Sequence, residues 1–151
     1  MEELWKSIKG YEELYEVSNF GNVRSLDRII KSRHNGTTIR KGRVLTPFYE
    51  EKKGYYQVRL SKNGKNKTFR IHRLVALAFL ENPFNYSDVN HKDEVKTNNK
   101  VNNLEWCTRK YNNNYGTKRE RTRKAMMGNT NGRKTWYRKG IRHDRDNRKA
   151  I

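Results

Sequence analysis

Residues 88–114 read DVNHKDEVKTNNKVNNLEWCTRKYNNN, and this stretch decides how the chain is put together. Asp88 to His91 alternates like a short strand, a polar loop follows, Leu104 to Thr108 alternates again, and from about Arg109 the pattern turns helical. The spacing predicts a unit of two strands and a helix. His91 ends the first strand, an Asn-rich run leads into the second, and Asn112 lies a turn or so along the helix. Groups placed this way can converge on one face, because side chains alternate across a strand and return every three or four residues on a helix. Three such groups can hold a cation and activate a water. Histidine, with an ordinary pKa of about 6.5, is the side chain suited to accepting a proton near neutral pH.

Working outward toward the N-terminus, IHRLVALAFLENP (71–83) is apolar on nearly all sides for about ten residues and stops before Pro83. It reads as a short, largely buried helix and the keystone of the core. Before it, Tyr55 to Leu60 and Lys67 to Ile71 are strands joined by SKNGKN, whose Asn63-Gly64 pair favours a type I′ hairpin turn. Trp5 to about Ser25 reads as short antiparallel strands, with a tight turn at Ser18 to Asn22 in which Gly21 is free to take a positive φ. Residues 31–43 (KSRHNGTTIRKGR) are polar and glycine-punctuated, which predicts a mobile surface loop with no share in the core. Past Gly116 the tail carries thirteen Lys or Arg against three acidic residues; a helix from Thr117 to Met127 is expected there and little else that could bury itself.

Over 151 residues Lys and Arg outnumber Asp and Glu 35 to 16, a net charge of +19 that calls for a polyanionic partner. Only 32% of the residues are apolar, so the core must be small and helped by aromatic packing. The single Cys107 excludes an intrachain disulfide and a multi-cysteine zinc cage; it reads as a small buried hydrophobe. No window is long and apolar enough to span a bilayer and the N-terminus lacks the apolar core of a secretory signal, so a soluble, cytoplasmic protein with no membrane partner is expected.

HRLVALAFLENP, VNHKDEVKTNN, NNLEW and the helix after them resemble the HNH homing-endonuclease branch found in phage and intron-encoded nucleases, with agreeing spacing throughout residues 72–112. LWKSIKGYEELYEVSNFGNVRSL resembles the nuclease-associated modular DNA-binding domain that often precedes such a unit. Together the resemblances cover roughly residues 3–115. They imply an α+β fold: a small antiparallel N-terminal module (1–66), a ββα-metal nuclease domain (67–115) and a basic tail (116–151), partly helical or disordered, that contacts DNA. They also imply the chemistry, a metal-dependent hydrolysis of DNA phosphodiesters that leaves a 5′-phosphate and a 3′-hydroxyl and uses one Mg²⁺ or Mn²⁺. His91 would be the general base, Asn90 and Asn112 would ligate the metal, with Asn112 preferred to Asn113 or Asn114 on spacing alone, and Asn103 would tie the two strands together and so position the histidine. Members often have aspartate where Asn90 stands, and a neutral amide binds a cation more weakly.

Double-stranded DNA is the expected partner, no small-molecule substrate is expected, and monomer and homodimer both stay open. Phosphate contact is the default use of Arg24, Arg28, Lys31, Arg33, Arg40, Lys41 and Arg43 around the N-terminal turn and loop. The same holds for Lys62, Lys65 and Lys67 at the hairpin tip and for Arg109, Lys118, Arg119, Arg121, Arg123 and Lys124 beyond the second strand. Arg24 or the 55–71 hairpin could also read base edges. His72 reads as a helix cap or a core hydrogen-bonder, Trp106 as core, and His34 and His143 as solvated. A non-catalytic DNA-binding protein derived from such a nuclease is the alternative, with the Asn90 departure in its favour. A basic RNA-binding protein would leave the VNH and NNLEW spacing as coincidence.

Overall fold

The Asn63-Gly64 turn forms as the sequence predicts, both residues at positive φ (51° and 72°), and it joins β7 (Tyr55–Lys62) to β8 (Lys65–Arg70). The computed structural model describes residues 2–32 and 36–128. β6 (Phe48–Glu50) pairs with the other edge of β7, completing a three-stranded antiparallel sheet. A second such sheet orders β1 (Trp5–Ser7), β2 (Tyr15–Ser18) and β3 (Val23–Ser25). Its β2–β3 turn is closed by Ser18, whose Oγ accepts from the Asn22 and Phe20 N–H groups, and Gly21 sits there at φ 89°.

α1 (Ile71–Phe79) follows β8 without a break and ends where Leu80 turns extended, ahead of Pro83. It buries Ile71, His72, Leu74, Val75 and Ala76 while Leu77 stays exposed, so it is amphipathic rather than apolar all round. Its keystone role is real: it packs against β1, β2, β7, β8, β9 (Asp88–His91) and β10 (Leu104–Cys107). Val17, Leu60 and Val75 are fully buried in this core, where truncating a Leu-sized side chain costs about 2–5 kcal/mol. Tyr11 meets Tyr15 and Phe69 edge-on at 6.0 and 5.5 Å, and these aromatic contacts extend a core with few aliphatic residues.

The core joins Ile8, Val17 and Val23 to Leu74, Val89 and Leu104 in one cluster, and residues 1–112 form one compact unit. The β7–β8 hairpin straddles the boundary expected after residue 66. Buried residues from both sequence modules lie in one cluster. The second unit, from Asn113 onward, contains α3 (Lys118–Gly128), close to the helix expected there.

One expectation is corrected. The segment read as a mobile loop at 31–43 contributes to a ribbon, β4 (Arg28–Lys31) against β5 (Thr37–Arg40), with Ile29 opposite Ile39. Both isoleucines are exposed, 73% and 61%, so the absence of a core role stands. β-branched Ile29, Ile30, Thr37, Thr38 and Ile39 supply the strand preference that the flanking charges obscured. Among the described residues no helix is long and apolar enough to cross a membrane.

Candidate active site

β9 and β10 form an antiparallel ribbon in which His91 faces Leu104, Asn90 faces Glu105, Val89 faces Trp106 and Asp88 faces Cys107. Alternation puts Asp88, Asn90 and Glu105 on one face and Val89, His91 and Trp106 on the other. α2 (Arg109–Asn114) follows β10 after one residue, and Arg109 Nε lies 3.5 Å from Asp88 Oδ2. Asn112 lies on α2 three residues beyond Arg109, and its backbone N–H donates to Thr108 O at 3.0 Å.

His91 is buried, 6% exposed, against α1. Its ring meets that of His72 at 5.0 Å, nearly edge-on, and stacks with Tyr55 at 6.2 Å; Tyr55 and His72 are 4.7 Å apart. Arg70 and Lys96 each place their cationic group 4.9 Å from the centre of the Tyr55 ring. Burial pushes the His72 pKa down to about 3, helped by nearby His91, Arg70 and Arg73. Burial also lowers the pKa of His91, and Lys96 adds to this; the Asn99 side chain and Asp93 pull it back up. Both imidazoles are therefore neutral near pH 7, the state in which a histidine can take a proton.

The loop after His91 is held by Asn103. Its Nδ2 donates to Asp93 Oδ1 (2.8 Å) and Asn98 O (2.9 Å), and its Oδ1 accepts from the Asp93 N–H (3.0 Å). The Lys92 N–H donates to Asn103 O at 2.8 Å. Burial works to raise the Asp93 pKa, but hydrogen bonds from Asn98, the Val95 N–H and Asn103, with His91 nearby, outweigh it and keep the carboxylate charged.

Asn90 is buried, and its Nδ2 donates to Glu105 Oε1 at 2.7 Å. That bond turns the amide so that Oδ1 points away from Glu105, an oxygen donor beside a carboxylate. Among the described residues no three His, Cys, Asp or Glu side chains cluster as a metal cage. An amide oxygen beside a carboxylate is the kind of donor set that a hard divalent cation accepts.

The residues expected to hold DNA are dispersed. Arg24 is engaged within the fold, its guanidinium ion-paired to Glu16 (2.6 Å) and 4.2 Å over the Trp5 ring. Arg28 lies opposite Arg40 across the β4–β5 ribbon, and its Nη1 is buried with no hydrogen-bond partner. Lys31 ends β4; Lys41 is paired with Asp27 at 2.8 Å, and Arg43 meets Ser25 through its backbone. At the hairpin tip Lys62 faces Lys65 across the strands, with Lys67 close by; Lys62 Nζ donates to Gly10 O at 2.6 Å. On α3 Lys124 pairs with Glu120 at 2.9 Å, and Arg121 and Arg123 are exposed. Arg33, His34, His143 and the tail past residue 128 lie outside the described residues, as do the side chains of Lys118 and Arg119.

Sequence reasoning missed Tyr55, Asp93, Asn99 and Glu105; of its two readings of His72, helix cap or core hydrogen-bonder, the structure bears out only the place in the core. No side-chain cap opens α1; His72 lies in the core with Nδ1 buried and unpartnered, against the ring of His91. Cys107 is buried, as expected, and Trp106 is half-buried with its indole N–H directed at Leu80 O.

The NUMOD4 motif model matches residues 3–61. The chain is 44% identical over 108 residues to the DNA endonuclease I-HmuI of Bacillus phage SP01, covering 72% of this chain and 54% of that one. It is 38% identical over 137 residues to an uncharacterized HNH endonuclease of Acanthamoeba polyphaga mimivirus, 91% of this chain and 33% of the relative. The chain thus spans about half or less of the length of these relatives. A solved structure, described as DNA binding and cleavage by the HNH homing endonuclease I-HmuI, superimposes with a TM-score of 0.58 at 43% identity, over 74% of this chain and 55% of that one.

Proposed function

The chain belongs to the HNH homing endonuclease family, and from that premise we propose that it hydrolyses phosphodiester bonds in double-stranded DNA with His91 as general base and one divalent cation. The observation that carries this reading is His91 itself: a buried, neutral imidazole at the end of β9, beside the Asn103-braced loop and next to Asn90 in the chain. Water gives its proton to His91 while its oxygen attacks phosphorus; the bond to the 3′ oxygen breaks and that oxygen takes a proton from solvent, leaving a 5′-phosphate and a 3′-hydroxyl. Asn90 Oδ1 and Asn112 would hold Mg²⁺ or Mn²⁺ with Glu105 alongside, and the bound ion would neutralise charge on the phosphate and the departing oxygen. Asn103 keeps the loop, and with it His91, in place.

DNA would be gripped through phosphates by the Lys62, Lys65 and Lys67 tip and by the β4–β5 ribbon. The ribbon sets Arg28 and Arg40 at paired positions, and phosphate contact is the default use of such residues. Arg109, Arg121, Arg123 and Lys124, with Lys118 and Arg119, would add sequence-independent contacts.

A second reading, a DNA-binding protein that no longer cuts, has one observation in its favour: the amide at Asn90 where a carboxylate would bind metal more strongly. Supercoiled plasmid separates the two. Relaxation in Mg²⁺ or Mn²⁺ that a chelator abolishes supports the nuclease. Plasmid retained on the protein but never nicked, in either metal, supports the binder.

A further inference from the structure

His91 Nε2 and Asn99 Oδ1 are both buried, neither closes a hydrogen bond of full geometry with any other group, and one can donate while the other can only accept. His91 is 6% and Asn99 7% exposed, so water is a poor substitute partner for either. We infer that Asn99 is the positioning residue of His91: its Oδ1 takes the Nε2 proton of the neutral imidazole and fixes the tautomer that leaves Nδ1 as the proton acceptor. This rests on the proposed role of His91 as base. Asn99 is near enough for its side chain to act on the His91 ring.

Asn99 is itself gripped from two sides. On one, Asn103 Nδ2 holds the preceding carbonyl, Asn98 O, at 2.9 Å. On the other is the N-terminal turn: the Val101 N–H donates to Asn19 O at 2.9 Å, and a Cβ added at Gly21 would stand 2.8 Å from Asn99 Cβ and 3.3 Å from its carbonyl oxygen. Gly21 thus serves more than its turn; its missing side chain makes room for Asn99. The region matched by the NUMOD4 model reaches the base through this contact, as a brace for the site.

The test reads the ring directly by ¹⁵N NMR of the histidines, in the full chain without metal. Wild type is expected to show His91 protonated on Nε2. Asn99→Leu should give a mixture of tautomers and lower kcat by about 10–100-fold with KM for DNA unchanged. Asn99→Asp, which keeps the acceptor, should restore the single tautomer. Gly21→Ala should disturb the His91 signals. Gly10→Ala should not, although Gly10 also has a positive φ, because nothing lies within 4 Å of its added Cβ. A wild-type His91 protonated on Nδ1, or a folded Asn99→Leu protein with unchanged tautomer signals, overturns the assignment. Should Asn99→Leu not fold, the wild-type tautomer and the Gly21 and Gly10 pair still decide it. A wild-type protein that never cleaves but shows the Nε2–H tautomer would count against the nuclease reading and leave this one standing.

Discussion

Lowering the pH should weaken this fold through His72 well before its carboxylates titrate. The His72 pKa falls from the ordinary 6.5 to about 3 in the folded protein, because α1 buries the ring against His91 and Tyr55. The unfolded chain then binds the proton more readily than the native one. The stabilisation is fully present above about pH 7 and drains away as the pH falls from there toward 3. Between about pH 7 and pH 5 the unfolded state gains roughly 1.4 pH units of proton binding that the native state does not match, or about 2 kcal/mol at 1.36 kcal/mol per unit. His91, also lowered, adds loss in the same direction. Glu3, Asp27 and Asp93, held below their ordinary values, contribute mainly at lower pH and equally in a variant at position 72. Urea unfolding followed by tryptophan fluorescence at both pH values, in wild type and His72→Leu, isolates the difference. The wild type should lose about 2 kcal/mol more than the variant on acidification. Parallel losses in the two proteins would mean that His72 is solvated or already charged, and the buried two-histidine arrangement would be wrong.

Asn90→Asp should bind Mn²⁺ more tightly, by about tenfold or more in a titration followed by electron paramagnetic resonance. The same change replaces the Glu105 hydrogen bond with a carboxylate pair, so the metal-free protein should lose about 1–3 kcal/mol and melt earlier. Asn103→Ala removes three side-chain hydrogen bonds from the 93–98 loop; about 3 kcal/mol of stability should go in calorimetry, with DNA retention kept and cleavage lost. Alanine at Lys62, Lys65 and Lys67 together should reduce the slope of log Kobs against log salt by about 2–3, and an unchanged slope would take the hairpin tip out of the DNA interface.

Local patterns made part of this fold legible. Asn63-Gly64 fixes a turn by its own conformational preference, IHRLVALAF shows its apolar stripe, and the alternations around His91 and Trp106 define β9 and β10. The β4–β5 ribbon escaped because residues 31–43 read as polar and glycine-punctuated, while its pairing depends on Ile29 meeting Ile39 ten residues away. His91, Asn90 and Asn103 could be singled out because a family pattern marks them. Asn99 could not be told from its neighbours in an Asn-rich run. What distinguishes it is burial against His91 and the space left by Gly21, seventy-eight residues earlier in sequence, and neither leaves a local trace. Glu105 was hidden in the same way, since only the β9–β10 register sets it opposite Asn90. His72 read as a helix cap or a core hydrogen-bonder, and tertiary packing puts it in the core beside His91.

The most direct test is single-turnover cleavage of plasmid DNA by His91→Ala in saturating Mn²⁺, with and without added imidazole. The rate should fall by about 10²–10⁴-fold while DNA and Mn²⁺ binding persist, and imidazole should restore part of it. Cleavage at the wild-type rate without His91 would contradict the account.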